Sequence, residues 1–454
     1  MPYDLRETPI SATTPEVINR YEQALEQFQS YVGDPVETIE NALDQDSEFV
    51  LGHLFRAIVL MMFSEQRFVP DARSSLEAAE ALSRKANDRE HLLTMAANRL
   101  IGGDWNGACH VFDRVLVDYP RDVFTVQAAH LMDFYRGDAL NLRNRISRVM
   151  PHWSPSVPGY SYLLGMHAFG LEECNLYVEA ERAARRALDL QPKDGWAVHA
   201  GVHVMEMQGR IDEGIEWLES REQDWAPENG FAFHNWWHLA LYYLDRQRND
   251  QVLSIYDREI APESPEFVLT LVDATALLWR LYLLGVDFAD RFEALAVNWE
   301  QRLDTERGYY AFNDLHAMMA FAATGRSGAA ERLLGDMQAT AETGQGINVM
   351  MTRELGIPLC RAVQAFSQGR YRDTVELIAP VRDTANRFGG SHAQRDVISL
   401  TLIEAALRDG QSNLARHFIA ERTVHKPGSG LGWRLLGRTG EAPGRQKALV
   451  RDAT

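Results

Sequence analysis

Cysteine is scarce in this chain: Cys109, Cys174 and Cys360 are scattered through 454 residues and odd in number. That argues against a disulfide framework and against a CxxC metal or redox motif. Long hydrophobic runs are missing too. The longest, Phe55 to Phe63, is broken by Arg56 and is too short to span a bilayer. The opening Met1-Pro-Tyr-Asp-Leu-Arg-Glu7 has no apolar core of the signal-peptide kind. Basic residues are outnumbered, 46 Lys and Arg against 64 Asp and Glu, for a formal net charge of -18. The richest basic stretch, Arg438 to Arg451, is short and mixed. A polyanion would be repelled by such a chain. The expectation is therefore a cytoplasmic protein that binds neither nucleic acid nor membrane. Strand signals are nearly absent, as are a Gly-rich phosphate loop, a nucleophile elbow and a dinucleotide fingerprint.

What is present is helical periodicity almost throughout, punctuated by a recurring turn. A helix ends in a short polar or glycine turn, and a second helix begins with a small residue on its inner face. The pattern reads Gly102-Gly-Asp-Trp-Asn-Gly-Ala108, then Asn175 to Ala180, Gly209 to Gly214, Gly325 to Ala330, Gly369 to Thr374 and Gly410 to Ala415. Gly103 and Gly137 are 34 residues apart, and the matched repeat ends at Pro120 and Pro192 are 72 apart. A period of about 34 residues with helix-turn-helix content is the tetratricopeptide signature. The reading is an all-α fold: a right-handed α-solenoid of tetratricopeptide-type helix pairs, curled around a central cavity. Residues 1–35 form a lead-in segment, with a helix from Pro15 to Tyr31 capped by Thr14. Residues 36–426 form one continuous solenoid, and 427–454 a tail with a short helix around Trp433. Pro358 sits within a helical pattern and should kink it.

Histidine usage points to a site. In a helix-pair stack the first helix of each pair lines the concave face. Nine of the 14 histidines fall on predicted first helices or close to their register, including His53, His91, His130, His167 and His316. The densest group is His199, His203 and Glu206 at i, i+4 and i+7, followed one repeat later by His234 and His238. Such spacing places each set along one helical face. Paired imidazoles at i, i+4 present two nitrogens to one zinc-like ion, so His199, His203, His234 and His238 are the candidate metal ligands. The metalloprotease HExxH motif is absent, since Ala200 follows His199. Glu206, Asp314 and His316 are the candidate acid–base groups. Trp196, Trp237, Asn235 and Arg280 are the candidate substrate-binding residues, with Asp273 seven residues before Arg280 on the same helical face.

At these residues the chain resembles the tetratricopeptide repeat protein 38 family. The likeness is carried by His199-x3-His203-x2-Glu206-Met207, by His234-Asn235-x-Trp237-His238-x-Ala240-Leu241-Tyr242, and by Phe312-Asn313-Asp314-x-His316. It continues through Gly356-x-Pro358-Leu359-Cys360 and Gly389-Gly390-Ser391-x-Ala393-Gln394-Arg395-Asp396-Val397. His167 and His392 depart from the family pattern. The resemblance implies an α-solenoid and a cytosolic or exosome-associated soluble protein, and it supplies no substrate. Two functions follow as expectations. One is a small-molecule pocket on the concave face, holding a divalent metal such as zinc and hydrolysing an amide or ester. The other is a non-enzymatic adaptor that receives a partner's peptide in the groove. A homodimer is compatible with either.

Overall fold

The computed structural model describes residues 2–12 and 14–440. The part of the tail from 441 to 454, with most of the basic Arg438–Arg451 stretch, lies outside the described residues. Among the described residues the fold is all-α, with 25 α-helices and only two isolated bridges of extended chain. No described helix is long and apolar enough to cross a membrane.

The repeat is visible in the backbone. One residue per helix pair takes a left-handed φ at the turn after the first helix: Ser64, Gly103, Gly137, Asn175, Gly209, Gln247, Gly285, Gly325, Gly369 and Gly410. Successive positions are 34 to 44 residues apart. Glycine dominates this set because a Cβ disfavours that conformation. The turns at Gly209 and Gln247 close alike: Arg210 N donates to Met205 O and Arg248 N to Tyr243 O, satisfying carbonyls at the helix end.

The two helices of a pair differ in burial. Val123–Tyr135, a first helix, is buried on nearly every side. Tyr177–Leu190, a second helix, buries only Ala180, Ala184, Ala187 and Leu188, one narrow stripe of small residues. First helices are thus interior and carry apolar sequence all round. Any polar side chain on one of them needs an internal partner.

The chain divides into two compact units. Unit 1 comprises residues 1–201, 222–232 and 343–349. Its lead-in helix Pro15–Ser30 starts as the sequence suggests, with Thr14 accepting from Val17 N and Pro15 at the first helical position. Four helix pairs follow, from Val50–Met61 with Val69–Ala81 to Tyr160–Glu173 with Tyr177–Leu190. Buried Arg145 ties one pair together through Asp133, 2.8 Å away. Unit 2 comprises residues 202–221, 233–342 and 350–454 as far as they are described. No shift of composition marks the division, because the chain passes between units inside the helix Gly195–Met207.

In unit 2 the helices Val268–Leu284, Ala311–Thr324 and His392–Arg408 form the interior. The expected disturbance at Pro358 takes the form of a π-helical turn, Thr352–Gly356, ahead of the helix Ile357–Ser367. Proline lacks the N–H that would continue the regular ladder, and a widened turn accommodates it. From 428 to 440 the chain stays packed. The helix Gly430–Gly437 buries Leu431, Leu435 and Leu436, and Asp245 receives the N–H of Gly430 at 2.8 Å.

Candidate metal centre

Two helices bring the histidines forward. Gly195–Met207 is started by Asp194, which accepts from Ala197 N at 2.9 Å. Its last turn lies in unit 2 and carries His203 and Glu206. Ala232–Asp245, in unit 2 from Phe233 onward, carries His234 and His238. Tyr242 holds these helices in register, its hydroxyl donating to Val202 O at 2.6 Å. Its ring lies where a Cβ on Gly214 would stand, so only glycine fits there.

His203, His234 and His238 each offer a ring nitrogen, and these lie within 4.8 Å of one another. Ring centroids are 4.5 Å apart for His203 and His238 and 4.9 Å for His234 and His238. His203 and His238 are fully buried, and His234 is the most accessible of the three at 7%. Burial first, and then the neighbouring imidazoles, hold His203 well below the ordinary histidine range. Burial likewise lowers His238 to about 4, against the opposing pull of Glu206. Both rings are therefore neutral at pH 7, the form that binds metal.

Each of two imidazoles is held by a carboxylate. Asp273 Oδ2 is 2.5 Å from His234 Nδ1, and Glu206 Oε2 is 3.1 Å from His238 Nδ1. A carboxylate oxygen accepts from an imidazole N–H, so on both rings Nδ1 donates to its carboxylate and Nε2 is turned away from it. This is the carboxylate–histidine arrangement that surrounds metal-ligating imidazoles. Glu206 is ionised: burial raises its pKa, but Lys426 and His238 outweigh burial and leave it well below the usual carboxylate range.

The carboxylates are anchored in turn. Gln394 Nε2 reaches Asp273 Oδ1 at 3.5 Å. Lys426 bonds Glu206 and lies 3.4 Å from Asp396, which Arg422 holds by two bonds of 2.7 and 2.9 Å. Beside this network is a cavity of about 30 Å³, lined by Glu206, Tyr242, Arg280, Asp396, Arg422 and Lys426. It has room for one or two waters. The pocket expected here was one for a small-molecule ligand, which needs several hundred Å³. The space beside the histidines is water-sized because guanidinium and ammonium groups fill it.

The other sequence candidates have different surroundings. Glu206, expected as a free base, is occupied at both oxygens by His238 and Lys426. Asp314 and His316 do not act on one another. Asp314 Oδ1 accepts from Gly308 N at 3.0 Å, and His316 Nδ1 pairs with Phe312 O at 2.8 Å. Two residues apart on a helix, they point to different sides. Arg280, expected to bind substrate, is buried and donates to Ala276 O and Ala393 O at 3.0 and 2.8 Å, 5.3 Å over the Trp237 ring. Trp237 stacks on His234 at 5.3 Å, and Asn235 is wholly buried. Trp196 and His199 belong to unit 1, where the His199 ring lies 5.1 to 5.2 Å from Trp196, Phe169 and Phe231. His199 is also one turn before His203 on their shared helix. Asp273, Gln394 and Lys426 complete the centre. Asp273 was legible as a lone carboxylate in an apolar helix, whereas Lys426 left no local signal.

No protein-family model matches the chain. Among solved structures it is similar to the human IFIT1 dimer with m7Gppp-AAAA, at 12% identity, TM-score 0.44 and 95% coverage of each chain. It is similar to a monomeric mutant of IFIT1 with Gppp-AAAA at 13% identity and TM-score 0.42, over 93% of this chain and 99% of that one. A third similarity is to yeast Tom70, at 11% identity and TM-score 0.30, covering 95% and 88% of the two chains.

Proposed function

We propose that this tetratricopeptide-type repeat protein binds a divalent transition metal such as zinc through His203, His234 and His238. The supporting observation is the pair of carboxylates that fix Nδ1–H on His234 and His238 and leave Nε2 of each as the donor atom. Imidazole sets of this kind suit zinc, copper, iron or nickel, and a tetrahedral ion with neutral ligands suits zinc best.

A zinc-like ion would act as a Lewis acid and lower the pKa of a bound water, chemistry suited to hydrolysis of an amide or ester. In that reading Glu206 and Asp273 position the imidazoles and stabilise their charge. Of the three rings, His234 is the most accessible. His203, Glu206, His234 and His238 fall within the motifs that carry the resemblance to the tetratricopeptide repeat protein 38 family.

Elemental analysis of protein purified without a histidine tag tests the centre. The expected result is stoichiometric metal in the wild type, and its loss in His203→Ala and His238→Ala chains of unchanged helix content. A wild-type chain that neither carries metal nor takes up zinc at micromolar concentration would remove the proposal.

A further inference from the structure

The centre is linked to a segment more than two hundred residues away. Glu206 has its two oxygens on different partners: Oε2 faces His238 Nδ1, and Oε1 faces the ammonium of Lys426. Lys426 ends the helix Ser412–His425 and opens a short strap that Asp245 clamps through Ser429 and Gly430. The Pro427 carbonyl lies where a Cβ on Gly209 would be, so the strap packs tightly over the turn after the first histidine helix.

The buried charges around the centre are already matched. Glu206, Asp273 and Asp396 face Lys426, Arg280 and Arg422. A divalent ion on the histidines would add two positive charges to this balanced set. Like charges in a dry interior repel strongly. Arg280 is fixed on two carbonyls and Arg422 on Asp396, whereas Lys426 sits on the carboxylate that also serves His238.

Resting on the metal reading above, we infer that Lys426 is a tethered cation that competes with the bound metal for the charge of Glu206, so that strap docking and metal affinity oppose each other. With Lys426 in place, Glu206 is a weaker acceptor for His238 and the imidazole a weaker donor to metal. With metal bound, Glu206 is drawn to His238 and its hold on the strap loosens. Linkage requires the two effects to be equal.

Zinc affinity of the full chain, measured by competition with a chelating dye, tests this in wild type, Lys426→Met and Lys426→Arg. The Met variant keeps the length of the side chain and removes its charge, and it should bind zinc about tenfold more tightly, the lower end of what changing a histidine's carboxylate partner does. The Arg variant keeps the charge and should stay close to wild type. Hydrogen exchange over residues 420–437 should quicken when zinc is added to wild type and be indifferent to zinc in the Met variant. A Met variant that binds zinc no more tightly than wild type, or a strap whose exchange slows with zinc, overturns the coupling while leaving the metal centre intact. Failure of both wild type and the Met variant to bind zinc overturns the metal reading, and the coupling with it.

Discussion

Asp273 and His234 lie 39 residues apart in sequence and 2.5 Å apart in space, joined from Oδ2 to Nδ1 in the interior of unit 2. The contact decides which nitrogen of His234 faces the other imidazoles. Asp273→Asn keeps the shape but presents an amide that accepts more weakly and can turn its NH₂ toward the ring. Metal affinity should fall about 10- to 100-fold, the usual effect of losing such a partner. Asp273→Ala should fall at least as far. Chelator titration of both variants checks this, and unchanged affinity in both would mean that Asp273 serves packing alone.

Arg280 tests whether a buried cation near the centre is a ligand-binding group or a strut. Its guanidinium bridges Ala276 O in one helix and Ala393 O in the first turn of another, 113 residues on. Burial lowers its pKa to about 10, still well above neutral, so the charge stays. Lysine keeps the charge and loses the fork that reaches both carbonyls. Arg280→Lys should therefore destabilise the protein by roughly 1–3 kcal/mol, the cost of unsatisfied buried acceptors. Urea unfolding reads this directly. A fully stable variant would return Arg280 to the ligand-binding role that its sequence context suggested.

Gly170 tests the packing within unit 1. A Cβ placed there would stand 2.5 Å from the backbone carbon and oxygen of Leu142, which cannot swing aside. Alanine is the better helix former by about 1 kcal/mol in an open helix. Here overpacking should dominate, for a net loss of roughly 1–3 kcal/mol. Thermal unfolding of Gly170→Ala checks the sign, and a raised melting temperature would show that the two helices separate freely.

How much of this was legible in the sequence depends on the distance over which each signal acts. The repeat was readable because its turn needs a left-handed residue once per helix pair, and glycine is visible at most of those positions. The histidine stripes were readable because i, i+4 spacing fixes their face. The same rule explains the pairing that does not occur: Asp314 and His316 are two apart and diverge. Partners from other helices carry no local mark. Lys426 meets Glu206 across 220 residues, and nothing around Lys-Pro-Gly-Ser announces it. Trp196 was a candidate substrate-binding residue because it lies next to the histidine stripe. It lies instead among Tyr31, Phe169 and Phe231 in unit 1, 5.1 to 5.9 Å from each ring.

Asp314 supplies the pH dependence with the clearest sign. It is buried, Oδ1 accepts from Gly308 N, and Oδ2 has no hydrogen-bond partner among the described residues. Burial pushes its carboxyl up to about 8, with the Gly308 bond opposing in part. In the unfolded chain an aspartate titrates near 3.9. Between these values the folded protein binds a proton that the unfolded chain has released, so stability falls as pH rises from about 4 to 8. Asparagine retains the acceptor for Gly308 and cannot ionise. The Asp314→Asn variant should match wild type near pH 4 and exceed it increasingly above, by at least roughly 1 kcal/mol at pH 7.5. Other groups titrate in both proteins, so the difference between their urea-unfolding profiles isolates this carboxyl. Parallel profiles from pH 4 to 8 would show that Asp314 is solvated or paired when folded, and that burial is not what governs its proton.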